Sequence, residues 1–492
     1  VSYEFPDPLP VYGGEDLDAL SALMGGQVDL ALLLPTYFYR PMDDLTPRPG
    51  AQALGQGGAF ISEAEGVLAL GWNPAGMASL REGSLAVDGI VTSCTSTTEN
   101  LPDTLLVKGL PGFKIDNYDD SLGGFSGFGF LGVAAPLFDV GARPLVGGLA
   151  YRRHTDVSYG AEMLLEMGLV EGTGYPFVVA SDNNERGSIE SLTMGLAYEV
   201  FHSDDLSLSL GGSANFLRGR LRSDTQIKAQ AQGWDEGFIH FQRDYKGFSL
   251  EFGLEAEVCE LMRLGGWVGL PHSLEVHNSK FEYRPVPPPN AEYVVEVKGL
   301  VAPYDMEIPL FASGGISVGP VMGMQLSADV NHRPWSAADI KHHDEAYSVF
   351  DGPYHAGDVT SYHVGACFEF PFFRKPIHGS GMSLFAQFGF RTLPLSMIDL
   401  DLVHGEAPYY LGDQVKGGAW GFGFSLETQA RVSFHMGLEF QSYDYYKWFM
   451  EESSDPRPEA EQRELTFQDW WDSATLVARS VTVFRFSSEM RL

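Results

Sequence analysis

Apolar and polar residues alternate one for one along many separate stretches of this chain. That period of two constrains its fold more than any other feature. From Leu206 the even positions read Leu206, Leu208, Leu210, Gly212, Ala214 and Phe216, and the odd ones Ser207, Ser209, Gly211, Ser213 and Asn215. Trp420, Phe422, Phe424 and Leu426 alternate with Gly421, Gly423, Ser425 and Glu427, and Val432, Phe434, Met436, Leu438 and Phe440 alternate with Ser433, His435, Gly437, Glu439 and Gln441. Such a period places the two sets on opposite faces of an extended strand. It predicts 14 strands, over 84–93, 124–136, 145–155, 189–202, 206–223, 247–258, 262–277, 308–318, 321–334, 360–371, 381–393, 418–428, 431–443 and 478–492.

The connections are as informative as the strands. Gaps of 23 to 34 residues alternate without exception with gaps of 2 to 9. A soluble sandwich has no reason for this pattern. An up-and-down barrel across an outer membrane does, because its turns are short on the periplasmic side and long outside. No run approaches the roughly 18 apolar residues of a membrane helix, but a barrel strand needs only about 9–11 alternating ones. The expected fold is therefore all-β: a 14-stranded antiparallel up-and-down transmembrane β-barrel. Residues 84–492 would form it, with seven long extracellular loops. Tyr443, Tyr445, Tyr446, Trp448 and Phe449, and again Trp470 and Trp471, gather where an interfacial girdle would lie.

Charge and cysteine content narrow the function. The 492 residues carry a formal net charge of −33, so the basic footprint of a nucleic-acid binder is missing. Cys94, Cys259 and Cys367 are far apart and odd in number. They read as small buried or lipid-facing hydrophobes, not as a disulfide framework or a zinc site. The sequence opens on Val1, and a removed secretory signal is the expectation there.

Residues 1–50 are rich in Asp and Pro and form an N-terminal extension. Residues 51–83 are denser in motif: Ala53-Leu54-Gly55-Gln56-Gly57-Gly58-Ala59-Phe60, then Trp72-Asn73-Pro74-Ala75-Gly76. Gly55, Gly57 and Gly58 permit close packing against a wall. Asn73-Pro74 marks a turn, and the Asn side chain can bond local backbone. This stretch resembles the N-terminal hatch of the FadL/TodX outer-membrane transporter family, including its PorV-like relatives. The resemblance implies a 14-stranded barrel plugged in its lumen by residues 51–83.

Alternation also assigns the faces. The expected lumen-facing polar set includes Glu251, Glu255, Asp329, Arg391, Glu427, Arg431, His435 and Glu439. These groups either solvate the interior or anchor a hatch. The strand pattern shows no apolar pocket. Asp116, Asp119 and Asp120 in the first long loop are oxygen-rich candidates for Ca²⁺, and no other cofactor is implied. No catalytic motif is present, neither a Gly-x-Ser-x-Gly elbow nor a P-loop nor His-Glu-x-x-His, so the chain is not expected to be an enzyme. The resemblance implies passive uptake of hydrophobic small molecules through a hatch-gated barrel in the outer membrane of a Gram-negative-type bacterium, in contact with outer-membrane lipid. The alternative is a PorV-like scaffold whose long loops dock a surface or secreted protein.

Overall fold

A computed structural model describes residues 48–99, 104–105, 113–122, 126–156, 159–169, 177–230, 237–259, 261–285, 295–296, 303–343, 352–353, 358–370, 382–394, 416–428, 431–448 and 474–492. Fourteen strands form a closed antiparallel barrel. They are β1 Ser84–Glu99, β2 Ser126–Val140, β3 Arg143–Asp156, β4 Phe177–His202, β5 Leu206–Gln230, β6 Gly237–Val258, β7 Met262–Gly269, β8 Phe311–Val321, β9 Met324–Arg333, β10 Val359–Glu369, β11 Met382–Thr392, β12 Lys416–Thr428, β13 Val432–Trp448 and β14 Ala474–Arg491. Each pairs with its neighbour in the sequence, and β1 closes the ring on β14, Ser84 opposite Arg491. The short turns lie at one end. At the other, strands Phe113–Leu122 and Tyr159–Leu169 pair with each other, and the second of them also pairs with β4.

The alternation sets the two faces. Leu192, Met194 and Leu196 on β4, Phe216 on β5, Phe248 and Phe252 on β6 and Phe434, Met436 and Phe440 on β13 are exposed, while their odd-numbered neighbours point inward and are mostly buried. On β5 the outward apolar run extends from Leu206 to Phe216 and gives way to the exposed Arg218. Ten steps of about 3.3 Å, tilted by about 40°, span about 25 Å. That is the height of the apolar band on a transmembrane barrel, and so continuous an apolar surface needs lipid against it.

The region expected as one strand over 262–277 is divided. Leu270 and Pro271 interrupt it between β7 and strand His272–Pro285. Between Glu251 and Gly247 on β6, the partner chain runs from Gly269 to Leu274 and so gains one residue. That bulge reverses parity: Gly265 and Trp267 point inward on β7, and Leu274 and Val276 beyond it. Pro309 and Leu310 break the neighbouring strand in step, separating Tyr304–Ile308 from β8, because Gly269 faces Phe311 and His272 faces Ile308. On β9 the break is the turn Trp335–Ala337, followed by strand Asp339–His342. Proline at all three breaks removes a ladder donor where pairing is interrupted.

Cys259 corrects another expectation. It is exposed in a short turn with φ 52°, while Cys367 is buried as expected.

Candidate functional site

Residues 48–82 run through the barrel interior as short helical turns. The first is Ala51–Gly55, followed by 3₁₀ turns at Gly66–Gly71 and Pro74–Ser79. Asn73 organises the last of them. Its Oδ1 accepts from the backbone N–H of Ala75 at 3.2 Å, and Pro74 takes the first helical position, where no N–H is needed. Its Nδ2 donates to the carbonyls of Ile61 (3.1 Å) and Leu254 (3.0 Å). One amide thus joins two parts of the segment to β6. Trp72 Nε1 donates to the Pro49 carbonyl at 2.6 Å, and its ring meets Phe60 edge-on at 5.5 Å. A Cβ at Gly76 would lie 1.7 Å from the carbonyl oxygen of Ala64, so only glycine allows this crossing.

The barrel wall is shaped to receive the segment. A Cβ at Gly421 would come within 2.2 Å of the Leu54 carbonyl, and one at Gly389 within 2.0 Å of the Gln56 carbonyl carbon. Apolar packing covers the opposite side. Ile61, Val67, Leu68, Leu70, Trp72 and Met77 form one buried cluster with Ala86, Phe130, Ala134, Val146, Ala150 and Ala197 of β1–β4 and with Trp267 of β7.

Polar side chains of the wall hold the segment's backbone. Asp329 Oδ2 accepts from the N–H groups of Phe60 (2.6 Å) and Ile61 (2.8 Å). His363 Nδ1 donates to the Gly57 carbonyl at 2.8 Å, and Ser487 Oγ accepts from Ala51 N at 3.1 Å. Arg485 Nη1 donates to the Arg48 carbonyl (2.8 Å) and to Asp88 Oδ2 (3.0 Å). Arg152 Nη1 donates to the Leu70 carbonyl (2.9 Å) while Nη2 pairs with Glu251 Oε1 at 2.6 Å. Arg391 pairs with Glu439 through two bonds of 3.1 and 2.8 Å. Each of these three arginines, Arg152, Arg391 and Arg485, thus has a carboxylate partner and two of them a segment carbonyl as well, as a buried charge requires.

Arg48 enters the site between two indoles, its guanidinium 4.2 Å from the Trp267 ring centre and 5.5 Å from that of Trp72. Burial lowers its pKa to about 10. Burial raises the Glu63 carboxyl to about 7; Gln56, Ser327 and Asp329 lie beside it.

A second apolar cluster occupies the long-loop half of the interior. Ile189, Leu217, Leu221 and Tyr245 of β4–β6 meet Leu274, Val276, Tyr304, Met306, Ile308, Trp335, Ala338 and Ile340. Phe311, just below the strand breaks, packs against both this cluster and the one around residues 53–80. It also meets Trp335 edge-on at 5.1 Å. Apolar packing is therefore continuous from the long-loop half to the N-terminal segment. Beside it lies a polar network of Arg152, His154, Ser191, Thr193, Asn215, Ser249 and Glu251.

Solved structures share this fold. TodX, a toluene transporter of P. putida, matches with a TM-score of 0.52 at 14% identity, covering 91% of this chain and 99% of that one. CymD, a monoaromatic hydrocarbon channel, matches at 0.51 and 13%, covering 90% and 98%. A Pseudomonas aeruginosa FadL homologue matches at 0.51 and 12%, again covering 90% and 98%. The fold is that of the FadL/TodX barrels. No family model matches the chain, and no curated protein does so. These structural relatives are channels and transporters, not enzymes.

Within the FadL/TodX fold the predicted site residues fall into three groups. Gly55, Gly57, Gly58, Trp72, Asn73, Pro74, Ala75 and Gly76 all lie in the segment inside the barrel, and all except the half-buried Gly58 are buried. Glu251, Asp329, Arg391, His435 and Glu439 are inward and buried, and Glu255 is inward and half-buried beside Gly76. Glu427 keeps the inward parity of Ser425 on β12 but is exposed at the short-turn mouth. Arg431 departs from the expected lumen position: it sits in the turn past the end of β12 with φ 62° and bonds Glu82.

Asp116, Asp119 and Asp120 lie on strand Phe113–Leu122, and their side chains fall outside the described residues. No metal-binding group occurs among the described residues. The Tyr443–Trp448 side chains, Phe449, Trp470, Trp471 and residues 1–47 also lie outside the described set.

Sequence reasoning missed Arg48, Asp88, Arg152, Trp267 and Arg485. Asp88 had left a signal, as a charge between the inward Ala86 and Ile90. The second apolar cluster left none, because the parity reversal at Leu270–Pro271 hides its inward residues from a fixed period of two.

Proposed function

We propose that this chain is an outer-membrane transporter for hydrophobic small molecules, with residues 51–83 as its hatch, residues 84–492 as the barrel and the long loops outside. The contact of Phe311 with both apolar clusters carries this reading. An apolar molecule that enters among Val276, Met306 and Ile340 can move to the hatch past Phe311, over whose ring the Arg333 guanidinium lies at 5.5 Å. Burial of about 25 cal/mol per Å² of apolar surface supplies its affinity. The hatch is held by separate backbone hydrogen bonds of the order of 1 kcal/mol each, so part of it can shift while the Arg152–Glu251 and Arg485–Asp88 pairs keep the rest in place. The monoaromatic compounds named for TodX and CymD suggest the size of ligand to try first. Gly55, Gly57, Gly58 and Trp72–Gly76 serve as the hatch's packing surface. Glu251, Asp329, Arg391 and Glu439 serve as its anchors. A Ca²⁺ ion on Asp116, Asp119 and Asp120 would be a loop feature without a part in passage.

The test is native mass spectrometry of the protein extracted gently from its own membrane. A retained apolar adduct, lost in Met306→Glu, supports the transporter. An empty lumen with a stoichiometric protein partner supports the docking scaffold instead.

A further inference from the structure

The outer face of β3–β6 changes character in a single step. Tyr151, Leu192, Phe216 and Phe248 lie opposite one another and form the last apolar row. The next outward row is Arg153, Glu190, Arg218 and Lys246. Beyond it come Asp156, Ser188, Arg220 and Asp244, then Arg186, Arg222 and Gln242. Six cations thus share these rows with three carboxylates, Asp156, Glu190 and Asp244, on a chain whose formal charge is −33. Arg186, Arg218, Arg220, Arg222 and Lys246 are exposed. Arg220 is paired with Asp244 at 2.5 Å, and Arg153 approaches Glu190 at 4.0 Å.

One cross-strand pair joins like charges directly, Arg218 with Lys246. Such a pair is destabilising in a bare sheet, and an anion lying over both members offsets the cost. The same row continues onto the next strands as Glu275, Asp305 and Lys341, so the cationic character is confined to β3–β6. The rows begin one pleat beyond the apolar band, at the depth of lipid headgroups.

We propose that this face binds the phosphates of a phosphorylated glycolipid in the outer leaflet, with Arg218, Arg222 and Lys246 as the principal contacts. Guanidinium groups suit phosphate because they donate in pairs, and exposed strand positions let the acyl chains lie along Phe216 and Phe248. The inference rests on the transmembrane placement above.

The experiment uses the full chain in nonionic detergent, incubated with bis-phosphorylated lipid A or with its fully dephosphorylated form, and counts retained lipid by native mass spectrometry. The wild type should retain the phosphorylated form selectively. Arg218→Gln/Arg222→Gln/Lys246→Gln should weaken retention on the order of 100-fold, from about tenfold or less per cation near a membrane surface. Lys341→Ala, flanked by Glu307 and Asp305, should retain it as the wild type does. Equal retention of both lipids, or no effect of the triple substitution, overturns the proposal. Insertion into phosphatidylcholine vesicles is measured alongside. Failure to insert would remove the transmembrane reading as well, whereas insertion without phosphate-dependent retention removes only the lipid site.

Discussion

Arg152 and Glu251 meet at 2.6 Å inside the barrel, from β3 and β6, strands that are not neighbours in the wall. The contact ties two parts of the wall to each other and, through the Leu70 carbonyl, to the N-terminal segment. Trp267 Nε1 and Ser213 Oγ also reach Glu251, at 3.3 and 3.4 Å. Removing one member of a buried pair strands the other, at a typical cost of about 3–5 kcal/mol. Arg152→Ala should therefore loosen the segment more than Arg152→Ala/Glu251→Gln does. Hydrogen exchange over residues 66–76 reads the difference. Faster exchange in the double variant than in the single one would show that the pair does not hold the segment.

The Asp329 contacts predict a graded series. Asp329→Asn keeps an acceptor for Phe60 N and Ile61 N, whereas Asp329→Ala removes it and costs about 2 kcal/mol at roughly 1 kcal/mol per bond. Small-solute leakage through the barrel in planar bilayers should rise in the order wild type, Asn, Ala. Equal leakage in all three would place the hatch's hold elsewhere.

Wall glycines give a cleaner contrast. A Cβ at Gly421 meets the Leu54 carbonyl at 2.2 Å, while one at Gly266 has nothing within 4 Å. Gly421→Ala should displace residues 51–57 and increase leakage, and Gly266→Ala should behave as the wild type. Both should keep the heat-resistant gel mobility of a folded barrel, since Gly421 lines the lumen and Gly266 faces outward with open space around it.

Glu63 predicts a pH dependence with a definite sign. Burial raises its carboxyl from 4.5 to about 7, so the seated hatch favours the protonated form. Its contribution is full below pH 4.5 and is lost as pH rises through about 7. Arg263 and Asp329 are the other charged groups that bear on it. Hydrogen exchange at residues 60–66 should quicken across that window in the wild type and less steeply in Glu63→Gln. A wild-type profile that slows with rising pH would contradict the assignment.

The lipid face gives a register test. Phe434 is exposed on the outer band and His435 is buried inside against Ser425 Oγ at 2.6 Å. Phe434→Asp should reduce membrane assembly, because an acidic group in the apolar band is unfavourable, and His435→Asp should assemble. The reverse ranking would mean a register slip of one residue.

What was legible in the sequence follows from where its periodicity holds. From Leu206 to Phe216 and from Val432 to Phe440, one face meets lipid and the other a polar lumen, so the pattern is complete and both strand and facing follow. The motif glycines and Asn73 were legible because turns and close approaches need particular residue types. Arg48 and Trp267 were not, since a cation lying on an indole has no local spacing. The apolar lining of Leu274, Val276, Met306 and Ile340 was obscured for a different reason. Paired bulges at Leu270–Pro271 and Pro309–Leu310 exchange the inward and outward sets, and above them the outer face carries Glu275, Asp305 and Lys341 in place of apolar residues.

The central claim is that apolar molecules pass along the lining that joins the long-loop half to the hatch through Phe311. The most direct measurement is uptake of radiolabelled toluene by cells that depend on this protein, comparing the wild type with Val276→Asp and Met306→Glu. Folding is checked by heat-resistant gel mobility. The account predicts rapid wild-type uptake that falls at least several-fold in both variants while the barrel stays folded. Unchanged uptake in two folded variants, each with a charge in the lining, would contradict it.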